Sequence, residues 1–196
     1  PQSPLVLLGT LSSPVHAAMY GVFLRLSLPF QLLQQLFLDQ VWPAITEALH
    51  GGDRAWLRQA LRRLTRGSLA FAGLTVAGVW VGLVLFFPLL TRTAGLHPSP
   101  WLLGLYALHV AVLGLVQAYA YVANGLGRVR RQNFFAVVCV AFSATALPFF
   151  IREEGTAGML AALLVLNGAV GLPLLFAEYA AFLREEKAMV PARART

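Results

Sequence analysis

A basic side chain inside an apolar run is the first chemistry this sequence offers. Between His16 and Leu49, residues Arg25, Gln31, Gln34, Gln35 and Asp39 interrupt a stretch dominated by Leu, Phe, Val and Ala. A guanidinium donates a planar fork of hydrogen bonds that matches the oxygens of phosphates and carboxylates. At about 100° per residue, Arg25, Gln35 and Asp39 fall on one stripe of a helix, with Pro43 near its centre. Gln31 and Gln34 lie elsewhere on the wheel. Ionisable groups at such positions are costly in hydrocarbon and mark pathways or partners. Two readings fit the pattern. One is polar glue between helices with snorkelling near the ends; the other is a water-filled cavity lined by Arg25 and the glutamines.

Other chemistry is sparse. No Walker loop, HExxH pair, GxSxG elbow or cysteine cluster occurs, which argues against nucleotide-driven transport and zinc hydrolysis within this chain. No enzymatic activity, cofactor or metal is expected. His16, His50, His97 and His109 are too scattered for a metal site. His109 reads as a packed, neutral, hydrogen-bonded side chain, and Glu153-Glu154 as a solvated loop pair. Glu178 reads as a snorkelling acid or a partner of Arg184, and Asn124 and Asn167 as amides bonding between helices. The single cysteine, Cys139, lies in an apolar run, so no disulfide framework is available.

The elements that must position these residues follow from composition. Of 196 residues 58% are hydrophobic and 12% charged, against about 25% charged in ordinary soluble domains. The net charge of +7 would suggest nucleic acid in a soluble protein. Here the basic residues punctuate apolar runs, so membrane topology is the reading and no nucleic acid is expected. Intervals 67–91, 93–127, 132–151 and 155–177 contain no Asp, Glu, Lys or Arg, and each is long enough for a crossing of about 20 residues. The expected fold is all-α: a polytopic transmembrane helix bundle of about five spans, near 16–49, 68–90, 101–126, 133–151 and 158–183. The runs do not alternate as barrel strands would.

Twelve basic residues gather on one side of these spans. They are Arg54, Arg58, Arg62, Arg63 and Arg66, then Arg128, Arg130 and Arg131, then Arg184, Lys187, Arg193 and Arg195. The opposite loops hold Arg92 and Arg152. That asymmetry predicts both Arg-rich loops and the C-terminal tail in the cytoplasm. Within 53–66, Trp56, Leu57, Ala60, Leu61 and Leu64 share one face and Arg54, Arg58, Arg62 and Arg66 the other. This pattern predicts an amphipathic interfacial helix, N-capped by Asp53, with its arginines on anionic lipid. Ser99-Pro100-Trp101 reads as a helix start and Gly125-Leu126-Gly127 as a helix stop; Glu153 to Thr156 reads as a short polar loop.

In order, these features resemble the C-terminal half of Wzx-like polysaccharide flippases, of the multidrug/oligosaccharidyl-lipid/polysaccharide exporter superfamily. Leu5–Tyr20 resembles the end of that family's seventh span and the turn into the eighth. Trp42-Pro43-Ala44, Glu47-Ala48 and Gly52-Asp53 resemble the eighth span's ending and the basic connector. Pro98 to Leu103 and Ala123 to Arg130 resemble the start and stop of the tenth, and Gly155 to Ala161 the start of the twelfth. The match covers about 5–185. It implies one lobe of a two-lobe transporter that flips a lipid-linked oligosaccharide by alternating access in the bacterial cytoplasmic membrane. In such a protein the lipid pyrophosphate meets a cationic cavity, a role carried here onto Arg25.

The candidate substrate-binding set is Arg25, Gln31, Gln35 and Asp39. The resemblance also makes 1–14 the remnant of a preceding transmembrane helix and external turn, 15–183 the bundle and 184–196 a basic cytoplasmic tail. The first lobe is then missing, and this half alone should not complete a transport cycle. An ion-coupled multidrug exporter using Asp39, a membrane-embedded transferase or anchoring subunit, and a non-transporting membrane scaffold are the competing readings. The orientation is tested by single cysteines in a Cys139-free protein. Positions 132 and 196 should resist impermeant thiol reagents in intact cells and position 156 should react; the reverse pattern overturns the orientation.

Overall fold

The computed structural model describes residues 3–91 and 97–193, with side chains over 4–89 and 97–184. Arg92, Arg195 and Thr196, and the side chains of Lys187 and Arg193, lie outside the described residues. The described chain is helical throughout. Its elements are α1 (Ser3–Leu11), α2 (Pro14–His50), α3 (Arg54–Thr91), α4 (Pro100–Gly125), α5 (Arg130–Thr145) and α6 (Leu147–Val165). A π-helical turn (Leu166–Gly171) leads into α7 (Leu172–Arg193). Among the described residues three stretches are long and apolar enough to cross a membrane: Arg54–Leu89, Pro100–Gly125 and Leu147–Arg184. Their outward faces carry Leu85, Phe86, Val165 and Phe176 in the open, a surface suited to lipid rather than water.

Local chemistry places the ends. Ser13 caps α2 and Ser99 caps α4, each hydroxyl accepting the backbone amide three residues on. Asp53 does the same for Trp56. After α4, Gly127 takes φ 68°. This lets the Arg128 amide reach back to the Ala123 carbonyl at 2.8 Å and the Gly127 amide to Asn124 at 3.0 Å, closing the helix with a left-handed cap.

Contacts between helices fix their directions. Ser27 meets Tyr106, Gln34 meets Gly114 and Thr46 meets Gly125, so α2 and α4 run parallel. Phe23 stacks near Phe87 and Phe30 near Gly78, so α3 runs antiparallel to α2. Arg131 pairs with Glu178 at 3.4 Å and Phe135 abuts Gly171, so α5 is antiparallel to α7. Gly168 lies near Val112, and further along Tyr119 packs on Phe176 and Tyr179, so the helix from Gly168 into α7 runs parallel to α4. All described residues of the two arginine clusters, with Arg184, therefore lie at one end of the bundle. His16, Arg152 and Gly155 lie at the other.

Four local expectations differ from the structure. The amphipathic segment 53–66 is not a separate helix: it is the first part of α3, continuous through Gly67. Leu57 and Leu61 are fully buried in a cluster with Ile45, Val116 and Val122, so the centre of the apolar face that suggested lipid packs on protein, while Trp56 stays exposed. At 1.5 Å per residue α2 and α3 are about 55 Å long, well beyond the ~30 Å of a hydrocarbon core. The two pack against each other as a hairpin longer than that thickness. The expected span 133–151 is divided at Ala146, two residues before Pro148, whose missing amide cannot continue the ladder. The expected polar loop at 153–156 contracts to Gly155, which sits at φ 58°, ψ −129° between helical neighbours. Glu178 pairs with Arg131 rather than Arg184.

Gly155 joins the ends of three elements. A Cβ there would collide with the His16 ring, whose Nδ1 shares a 2.6 Å hydrogen bond with Ser12. The Thr156 hydroxyl donates to the His16 carbonyl at 3.3 Å. Because Thr156 is buried, the exposed Glu153 is the better position for a labelling cysteine at this end. Gly155→Ala meets both the collision and a backbone conformation that costs roughly 1–3 kcal/mol for a residue with a side chain. It should lower unfolding stability in detergent by at least that much. Gly73→Ala, where a Cβ meets open space, should be neutral or slightly stabilising; equal effects of the two would refute this account of the junction.

Candidate functional site

The polar residues of α2 sort into a face bonded to α4 and a face left open. Nearest the Gly155 end, the fully buried Ser27 hydroxyl shares a 2.7 Å hydrogen bond with the Tyr106 hydroxyl. The Gln31 amide donates to Ser27 at 2.9 Å. Two turns on, the Gln34 amide donates to the Gly114 carbonyl at 2.6 Å. Toward the Arg-rich end, the Tyr121 hydroxyl and the Gln35 amide each donate to Asp39 Oδ1 at 2.8 Å. Gln35 also donates to the Tyr121 oxygen, and Trp42 packs edge-on against the Tyr121 ring at 6.4 Å.

The structure thus brings Gln35 and Asp39 together, ties Gln31 into a separate group and leaves Arg25 apart. Arg25 is exposed. It lies on the side of α2 opposite Phe23 and Ser27, which face the core. Among the described residues it makes no ion pair or hydrogen bond. Asp39 is 14 residues away on the same helix, about 21 Å at the helical rise, so the two charges do not neutralise each other.

Sequence reading passed over two features. Tyr121 and Tyr106 complete the polar groups on α2, yet their spacing in α4 says nothing of which helix they meet. The second feature was legible. Both ionisable residues of the α2 stripe stand four positions before a proline, Arg25 before Pro29 and Asp39 before Pro43, and both prolines lie inside the helix. A proline has no amide to give to the carbonyl four residues back, so the backbone is most polar where the side chains are charged. Discontinuities of this kind serve ion and substrate sites in transporters.

Two further expectations fail in detail. His109 is buried, but its Nδ1 has no partner among the described residues. Asn167 donates to the Leu163 carbonyl of its own helix at 2.8 Å rather than to a neighbour. That bond lies at the π-helical turn, where Pro173, following Gly171, removes another helical amide.

No family model, no curated protein and no solved structure matches this chain. The Tyr121–Asp39 contact can be weighed by a double-mutant cycle. Tyr121→Phe and Asp39→Ala should show a coupling of about 0.5–1.5 kcal/mol in detergent unfolding, the range of interhelical hydrogen bonds in membrane proteins. Additive losses would mean that the two side chains stabilise the bundle independently.

Proposed function

We propose that this chain is one lobe of a two-lobe transporter that flips a lipid-linked oligosaccharide by alternating access across a bacterial cytoplasmic membrane. Five crossings are proposed, with the Arg-rich end and the C-terminus in the cytoplasm. The alternating helix directions and the gathering of basic residues at one end support that topology. Anionic lipid headgroups around Arg54, Arg58, Arg62 and Arg66 belong to the same proposal.

The observation that carries the reading is Arg25. A guanidinium about 13 Å along α2 from His16 lies within the depth of the hydrocarbon. There an unpartnered charge is expensive unless water or an anion reaches it. Arg25 faces away from its own core, so the surface it occupies is one that a second lobe would close over. Its planar fork suits a pyrophosphate. The bonds that Ser27, Gln34, Gln35 and Asp39 make with α4 support motion of the lobe as one body. Asp39 is the residue an ion-coupled drug exporter would need, and its Oδ1 already accepts two hydrogen bonds. That occupancy favours the flippase reading over the exporter.

The test is complementation of surface-polysaccharide display by the complete polypeptide. Arg25→Ala should accumulate normally and reduce display at least tenfold. Arg25→Lys, which keeps the charge and loses the fork, should fall less. Full complementation by Arg25→Ala at normal abundance would remove Arg25 from the site.

A further inference from the structure

A cleft of about 550 Å³ opens between the C-terminal half of α2 and the first half of α3. Phe37 and Val41 form one wall, Gly67 and Phe71 the other, and Trp56 stands at the Arg-rich end. Arg63 is the only charged side chain among the described residues that line it. It is exposed and makes no ion pair or hydrogen bond among the described residues. Arg62 and Arg66 flank it in sequence.

We propose that this cleft binds an anionic bilayer phospholipid, with one acyl chain between α2 and α3 and the phosphate on Arg63. Length and charge agree on that occupant. The α2 wall runs 11 helical steps from Gln34 to Ile45, about 17 Å at the helical rise, and one leaflet of the hydrocarbon core is about 15 Å deep. Inward of Arg63 the lining carries no charge: Phe37, Leu38, Val41, Leu64 and Phe71 dominate it, with Gln34, Gln40 and Ser68 as its polar members, and the cation stands where α3 passes from its Arg-rich part to its charge-free part. A tryptophan at the mouth suits headgroup depth. The arginine fork supplies the selectivity for a phosphate of net negative charge over a zwitterionic one. This site is separate from Arg25, and it rests on the membrane placement of α3 rather than on flippase activity.

The complete polypeptide tests it with every native tryptophan, Trp42, Trp56, Trp80 and Trp101 among them, changed to Phe, which keeps an aromatic ring at the mouth, and a reporter introduced by Phe71→Trp. The protein is reconstituted in phosphatidylcholine vesicles containing increasing fractions of acyl-dibrominated phosphatidylglycerol or acyl-dibrominated phosphatidylcholine. Bromines in the cleft quench the reporter. The expected preference for the anionic lipid is about fivefold, the scale of one basic residue at a membrane surface. Arg63→Gln should bring that preference to about one. Gly67→Leu places a side chain in open space within a helix that tolerates leucine, and should reduce quenching by both lipids. Equal quenching by the two lipids before any change at Arg63 overturns the proposal, as does a preference that survives Arg63→Gln. Quenching by neither lipid would mean that protein covers the cleft and equally overturns it. Loss of the preference on adding millimolar inorganic phosphate would reassign Arg63 to a soluble anion. Transport is not read, so each of these failures leaves the Arg25 reading standing.

Discussion

The close parallel packing of α4 on α2 is the constraint on which the rest of this bundle depends. In hydrocarbon every backbone amide must be satisfied within its own helix, so the helices are fixed as rods and the fold is set by how closely they can lie. Buried Ala107, Ala111, Gly114, Ala118 and Gly125 recur along α4 at helical spacing. A side chain at Gly114 would collide with the Gln34 amide, and one at Gly125 with Ile45. Small residues on one helix thus make room for long polar ones on the other, the kind of close packing by which small residues bring helix backbones together.

That packing decides the fate of the polar stripe. Ser27, Gln31, Gln34, Gln35 and Asp39 could in principle have lined a cavity, but each finds its partner within the α2–α4 pair or on α2 itself. Their hydrogen-bonding capacity is largely used up in holding two parallel rods in register. Arg25 is on the opposite side and has no such outlet, because core contacts with α4 occupy the Phe23–Ser27 face. One helix therefore carries a structural edge and an open, charged edge, and the two prolines soften its backbone beside both.

The two ends of the bundle are held by different physics. At the Gly155 end, a single residue with positive φ reverses the chain where a loop of ordinary length would have pushed His16 away. At the Arg-rich end, the Ile45–Leu57–Leu61 contact keeps α2 and α3 paired. Their apolar faces meet each other, and their arginines are left on the outside. The cleft between them is what remains where the two helices diverge.

Charge-free length and basic punctuation determined a good deal here without any coordinates. The all-helical class follows from runs too long and too uniformly apolar for strands. The caps at Ser13, Ser99, Asp53 and Gly127 follow from residue types that can satisfy exposed helix ends, although only the last three were read from the sequence. The unity of α3 was not legible, because Arg54–Arg66 has the same 3.6-residue pattern whether its leucines meet lipid or Ile45. The division of the polar stripe was not legible either. Helical periodicity gives the angle of Gln35, Asp39 and Arg25 around their own axis, but it is blind to which neighbour stands at that angle. Tyr121 and Gly114 come from 80 or more residues away, and only the packed structure could say that they face Asp39 and Gln34 and that nothing described faces Arg25.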